Sequence, residues 1–310
     1  MTLLREGFSR TWNYQRVLWF IFLINLVLAH FSAGAASHKL DGVTDHSLQS
    51  QRLTGIFDFG TYSALASNPE VKLFEVAGVS FAFSLLFFVI VLFLTGGILE
   101  AYRSGRKLTT REFFEASGSY FWRWVRLLIM MMIVMIPPLM LTKVVFDKPP
   151  TMMVSAAQEK TAFWLMVGGL AVIALLLMCI RLWFDMAQVR AVVEEETGMW
   201  RNAGRAFKIT FSNFGSLFWM YLRISAIGWL VLALGLYIWT KMPPARSQWT
   251  FLILELVVLC GFGTRLWQRA CEMIWYQRRF LAPLASPVPV PVAPSPSQLL
   301  TIAPPPYPQS

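Results

Sequence analysis

Residues 181–222, RLWFDMAQVRAVVEEETGMWRNAGRAFKITFSNFGSLFWMYL, join two strongly apolar runs. The first part leaves its apolar run as a charged helix, and Thr197-Gly198 then interrupts it. The second part, Met199 to Phe214, reads as a separate amphipathic helix. Met199, Trp200, Ala203, Ala206, Phe207, Phe211 and Phe214 recur near the i, i+3, i+4, i+7 spacing of one helical face. Arg201, Arg205 and Lys208 fall on the other face. A basic amphipathic helix beside apolar spans belongs at a membrane surface. The expected roles follow: aromatic side chains toward acyl chains, and Arg201, Arg205 and Lys208 toward anionic lipid headgroups.

Composition agrees with that setting. The chain has 310 residues, of which 56% are hydrophobic and only 14% charged, with mean hydropathy +0.54. A soluble domain carries about 25% charged residues. Here the deficit is concentrated in long uncharged runs, so an all-α, polytopic transmembrane bundle is expected. The net charge of +10 would suggest nucleic acid in a soluble protein. In a membrane protein, positive charge has a prior use in holding loops on the cytoplasmic side, and no nucleic-acid partner is expected.

Working outward from residues 181–222, six spans are expected near 17–33, 76–99, 125–146, 162–184, 217–240 and 249–266, within a membrane domain covering 1–281. The first follows a basic, aromatic leader and ends in SAGAAS, which looks like a signal-peptidase site. The leader is long and resembles the later approaches to spans, so retention is the favoured reading. Residues 37–75 form the largest loop, expected to be periplasmic. His38, Asp41, Asp45 and His46 within it match no named metal-ligand spacing. Thr109-x-x-Glu112 is a capping box that opens the helix leading to the third span. Pro137-Pro138 lies inside that span, where proline removes backbone hydrogen bonds and kinks a helix. Residues 282–310 are Pro-rich, expected as a disordered cytoplasmic tail. Its PPPY resembles a WW-domain ligand, and the tail as a whole is the candidate contact for protein partners.

Orientation comes from Lys and Arg. Arg103, Arg106, Lys107, Arg111, Arg123 and Arg126 crowd the connection between the second and third spans, against Lys143, Lys148 and Lys160 in the next. The same bias holds along the chain. Both termini are therefore expected in the cytoplasm of a bacterium, with the protein in the inner membrane.

One plan occurs three times: an aromatic approach helix, an outward span, a loop, and an inward span ending in a charged helix. The approaches are FSRTWNYQRVLWF, FFEASGSYFWRWVRLL and AFKITFSNFGSLFWMYL; the exits are GGILEAYR, RLWFDMAQVR and TRLWQRAC. This suggests a three-fold repeat of helix–hairpin units. The competing account is that any helix entering a membrane needs an aromatic, basic approach.

Asp185-Met-Ala187, Arg190-Ala-Val-Val-Glu194, Ala203 to Phe207 and Asn213 before an aromatic span resemble a group of bacterial six-span membrane proteins. That group includes the membrane domain accompanying some glycerophosphodiester phosphodiesterases. The resemblance covers most of residues 1–280 and implies six spans. The catalytic domain has no counterpart here, so no catalytic residue carries over.

No nucleotide, metallopeptidase, thiol or hydrolase motif stands in a plausible setting, and no cofactor is expected. Ionisable groups in spans are functional candidates by default. Arg181 and Asp185, four apart, are expected to pair, as are Arg190 and Glu194. Arg223 and Glu255 are the intramembrane polar candidates, at depths too different for a simple pair. The expected function is a non-enzymatic membrane-embedded scaffold or interaction protein that contacts anionic lipid. The alternative is a transporter or permease component.

Overall fold

The computed structural model describes residues 2–44, 73–151, 156–242 and 247–281, and no strand occurs among them. The helices are α1 (Leu3–Asn13), α2 (Gln15–Thr44), α3 (Leu73–Ser104), α4 (Thr110–Thr151), α5 (Ala156–Val193), α6 (Met199–Ser212), α7 (Phe214–Lys241) and α8 (Ser247–Tyr276). A π-helical turn, Gln277–Leu281, follows α8. Six segments are long and apolar enough to cross a bilayer: Gln15–Gly34, Ala77–Ser104, Thr110–Phe146, Lys160–Val193, Phe214–Lys241 and Gln248–Leu281. The protein is an all-α, multi-pass membrane bundle. Helices suit that solvent because each satisfies its own backbone groups where water is absent.

Several boundaries differ from the expected ones. The helix begun in the first span continues to Thr44. The approach to the third span and the span itself form one helix, α4, which passes Pro137-Pro138 without a break. The last span continues past residue 266 to Tyr276. The remainder of the 37–75 loop, the side chains of His38, Asp41, Asp45 and His46, and the 282–310 tail lie outside the described residues.

The helices form three hairpins, α2/α3, α4/α5 and α7/α8. The inward helices α3, α5 and α8 each pack on the other two and form the centre. Each also packs on the approach segment of the next unit: α3 on α4, α5 on α6, and α8 back on α1. The last contact closes the ring.

Matched details mark this arrangement. Arg181-Leu182-Trp183 in α5 and Arg265-Leu266-Trp267 in α8 occupy like positions. The Trp183 indole donates to the Ala203 carbonyl at 2.8 Å and meets Phe207 edge-on. The Trp267 indole donates to the Leu4 carbonyl at 2.8 Å and meets Phe8 edge-on. The approach helices then break at Tyr14 (φ −108°, ψ 25°) and Asn213 (φ −120°, ψ 24°), before α2 and α7. Beyond the inward helices, Gly105 (φ +64°) and Glu195 (φ 53°) adopt the left-handed conformation common after a helix end. Glycine suits that position because it lacks the Cβ that crowds the carbonyl.

The core sits at the end of the bundle that holds α1, here called the proximal end. Trp124, Leu99, Tyr102, Leu182, Met186, Leu217, Ile224, Met273 and Tyr276 are almost wholly buried there. Farther along, Phe81, Leu139, Trp164, Trp229 and Leu230 are exposed, as suits surfaces solvated by lipid. Close approach is secured at Gly97, whose amide accepts no side-chain bulk: it donates to Ser117 Oγ at 3.2 Å, and a Cβ there would lie 2.7 Å from the Phe113 carbonyl oxygen. The capping box at the start of α4 is closed both ways: the Thr109 amide donates to Glu112 at 2.8 Å, and the Glu112 amide donates to Thr109 Oγ1 at 3.3 Å.

Candidate functional site

Helix α6 is divided differently from the expected two faces. Met199, Asn202, Ala203, Ala206 and Thr210 are buried against the bundle. Trp200 is 74% exposed, Phe207 45% and Phe211 43%. At about 100° per residue, these aromatics lie roughly a quarter turn from the buried row, and Arg201, Arg205 and Lys208 lie roughly opposite it. The expected apolar face is thus two strips, a small-residue strip that permits close helix packing and an aromatic strip left exposed. Phe207 and Phe211 of this strip continue into Phe214 and Phe218 at the start of α7 as a ladder of ring contacts.

Arg201 and Lys208 are exposed. Arg205 is also largely exposed, but its guanidinium reaches Glu196 at 3.2 Å, so it is shared with the protein. The break before α6 is held by Arg190, which is 3% exposed. Arg190 donates to Glu194 (Nε, 3.0 Å), to Asn202 Oδ1 (Nη1, 3.0 Å) and to Glu196 (Nη2, 3.2 Å). Asn202 in turn donates to the Ala187 carbonyl at 2.7 Å, and the Tyr276 hydroxyl donates to Glu194. Arg190 and Glu194 therefore make contact as part of a larger network joining α5, α6 and α8.

Two more links tie this end together. Arg10 donates to the Tyr102 carbonyl at 2.7 Å, and Arg103 donates to Glu195 at 2.8 Å. The Arg103 guanidinium holds the exposed Glu195 carboxyl below its ordinary range. Tyr14 donates to the Arg106 carbonyl, and burial raises its phenol above the ordinary value.

Asp185 does not pair with Arg181. Both its oxygens accept from Arg265 of α8, at 2.7 and 2.6 Å. The planar guanidinium offers two parallel bonds across the interface, a geometry that favours it over a neighbour on the same helix. Arg181 instead lies over the Tyr221 ring, 5.7 Å from its centroid. Glu272 is fully buried, and among the described residues neither of its oxygens has a hydrogen-bond partner. Arg269 Nη1 is likewise buried without a hydrogen-bond partner. Glu272 interacts electrostatically with Asp185, Arg265, Arg269 and Arg181. Five ionisable side chains thus meet where α5 and α8 adjoin at the proximal end.

The sequence-based expectation misses this cluster, because it ends the sixth span near residue 266. The signal was present: Arg181, Asp185 and Gln188 in α5 match Arg265, Arg269 and Glu272 in α8, at steps of four and three that keep one helical face. Of the other polar candidates, Arg223 is exposed with its guanidinium 5.1 Å from the Trp219 ring centroid, and Glu255 has one buried carboxyl oxygen without a hydrogen-bond partner. A cavity of about 370 Å³ opens beside the charged cluster, bounded by α3, α4, α5 and α8. Among the described residues, no group of His, Cys, Asp and Glu side chains is arranged to hold a metal. No protein-family model, curated protein or solved structure matches the chain.

Proposed function

We propose that the chain is a non-enzymatic scaffold or interaction protein of the bacterial inner membrane, contacting anionic lipid through α6 on the cytoplasmic side. The observation that carries this reading is the division of α6. One strip anchors the helix to the bundle, while Trp200, Phe207 and Phe211 stay exposed beside the exposed Arg201 and Lys208. A fixed helix with exposed aromatics and cations suits the boundary between acyl chains and headgroups, where amphipathic helices bind. The excess of Lys and Arg in the connections on the α1 side supports a cytoplasmic orientation for both termini. The Pro-rich tail is the segment proposed for protein partners.

The buried charges around Asp185 and Arg265 favour a second reading, a transporter component, because charge inside a span commonly marks a pathway. Reconstitution separates the two. The scaffold reading expects enrichment of anionic lipid around the protein, reduced by Arg201→Gln with Lys208→Gln, and no solute or ion flux above that of empty liposomes. Flux abolished by Asp185→Asn, without anionic-lipid enrichment, would replace it with the transporter reading.

A further inference from the structure

We infer that the cavity bounded by α3, α4, α5 and α8 holds one acyl chain of an anionic phospholipid, with the phosphate against Arg181 and Arg269. This site is separate from the surface of α6 and goes beyond the contact proposed there.

Shape supports the acyl chain. The cavity measures about 370 Å³, within the range of small-ligand sites. Phe88, Leu92, Leu127, Met135 and Leu177 give it an apolar wall. Its lining along α5 runs from Leu177 to Gln188. At about 1.5 Å per residue that is roughly 16 Å. Half the hydrocarbon thickness of a bilayer is about 15 Å, the depth of one leaflet. The whole lining, polar stretch included, therefore matches the depth of one leaflet, with the phosphate level at Arg181 and Arg269 and the apolar part inward of Arg181, roughly 6 Å along α5 to Leu177, taking the first part of one acyl chain.

Charge supports the anion. Arg181, Arg265 and Arg269 all line the cavity, against a single carboxylate, Asp185. Asp185 is already held by both arms of Arg265. Arg181 rests on an aromatic ring, and Arg269 Nη1 is buried with no hydrogen-bond partner among the described residues. A guanidinium does not shed its proton, so burial leaves it seeking an anion. Glu272, three residues farther along α8, is the resident rival, yet neither of its oxygens bonds to Arg269. A phosphate diester supplies acceptor oxygens and a full negative charge at the position where an acyl chain would leave the cavity.

The test uses the full chain, purified in a non-ionic detergent and stripped of lipid. Dioleoylphosphatidylglycerol, dioleoylphosphatidylcholine, oleate and inorganic phosphate are added separately. Thermal unfolding and native mass spectrometry are read together. Phosphatidylglycerol is expected to raise the unfolding temperature and to leave one retained lipid per chain, while the other three do neither. Arg269→Met should reduce lipid retention about tenfold, as expected when one charge-assisted contact is lost. Leu177→Trp, which fills the apolar wall, should abolish retention while the variant itself unfolds no earlier than the parent. Arg201→Gln with Lys208→Gln should keep the retained lipid. Equal shifts with both phospholipids would overturn the proposal. So would retention that survives both Arg269→Met and Leu177→Trp, or that disappears in the α6 double variant. An equal effect of oleate or phosphate would contradict the assignment to a phospholipid.

Discussion

Trp183 and Trp267 occupy corresponding places in two copies of one interface. Each indole donates at 2.8 Å to a carbonyl of the approach helix of the following unit. Each is also met edge-on by a phenylalanine of that helix, Phe207 or Phe8. The third inward helix has Phe93 at this place, and it packs on Phe114 and Phe121 of α4. A phenylalanine side chain has no N–H to donate, so at this place the contact is made by rings, and the hydrogen bond across the interface comes instead from the Gly97 amide to Ser117 Oγ.

The two tryptophan bonds should therefore be of similar value. Trp183→Phe and Trp267→Phe are each expected to lower stability by about 1 kcal/mol, the net contribution of a typical hydrogen bond, plus a small packing loss. Reversible unfolding in mixed micelles would measure both. A large loss at one site and none at the other would contradict their equivalence.

Gly97 is expected to tolerate no side chain. An added Cβ would lie 2.6 Å from Ser117 Oγ and 2.7 Å from the Phe113 carbonyl oxygen. Gly97→Ala should destabilise by about 1–3 kcal/mol, the usual cost of overpacking. Gly118, on α4, has nothing within 4 Å of such a Cβ. Gly118→Ala should therefore be neutral or gain up to about 1 kcal/mol from helix propensity. Comparing the two unfolding curves isolates packing from propensity.

Breaking the Asp185–Arg265 pair should cost more than either change. Asp185 is 5% exposed, so Asp185→Asn leaves a largely buried guanidinium short of its anion. A loss of about 3–5 kcal/mol is expected. Replacing both partners, Asp185→Leu with Arg265→Met, should restore part of it, because the two paired charges are then removed together rather than one being left behind. A double variant no more stable than Asp185→Asn would show that the pair is needed for more than charge balance.

The Arg103–Glu195 link should respond to acid. Arg103 lowers the Glu195 carboxyl below its ordinary value. A carboxyl lowered in the folded state stabilises the fold above its unfolded pKa, and that contribution disappears as pH falls through the folded value. Glu195→Gln should thus lower the unfolding temperature slightly at neutral pH. The gap should close on the acid side of the ordinary carboxylate range. A gap independent of pH would assign the effect to the left-handed backbone at Glu195 instead.

Long apolar runs made the six membrane-crossing segments legible, since their length and hydropathy depend on composition alone. The capping box at Thr109 and Glu112 was equally local and equally legible. Partner choice was not. Asp185 had a plausible neighbour in Arg181, but its actual partner lies 80 residues away and became available only when α8 packed on α5. The charged face of α8 was hidden for a related reason: Arg269 and Glu272 look like the end of a span in sequence, yet Glu272 is fully buried and Arg269 partly so, facing the cavity. On α6, periodicity grouped Ala203 and Ala206 with Phe207 and Phe211. Packing separated them by size, with the small residues against α5 and the large ones exposed.

The central claim, that α6 lies at a lipid surface, is tested most directly by a spin label at position 207 in the reconstituted full chain. The carrier would be Phe207→Cys in a variant lacking Cys179, Cys260 and Cys271. The account expects a label accessible to lipid-soluble oxygen and protected from an aqueous quencher, with a matching label at position 201 accessible to the quencher. A label at 207 shielded from both agents would place the aromatic strip against protein and contradict the account.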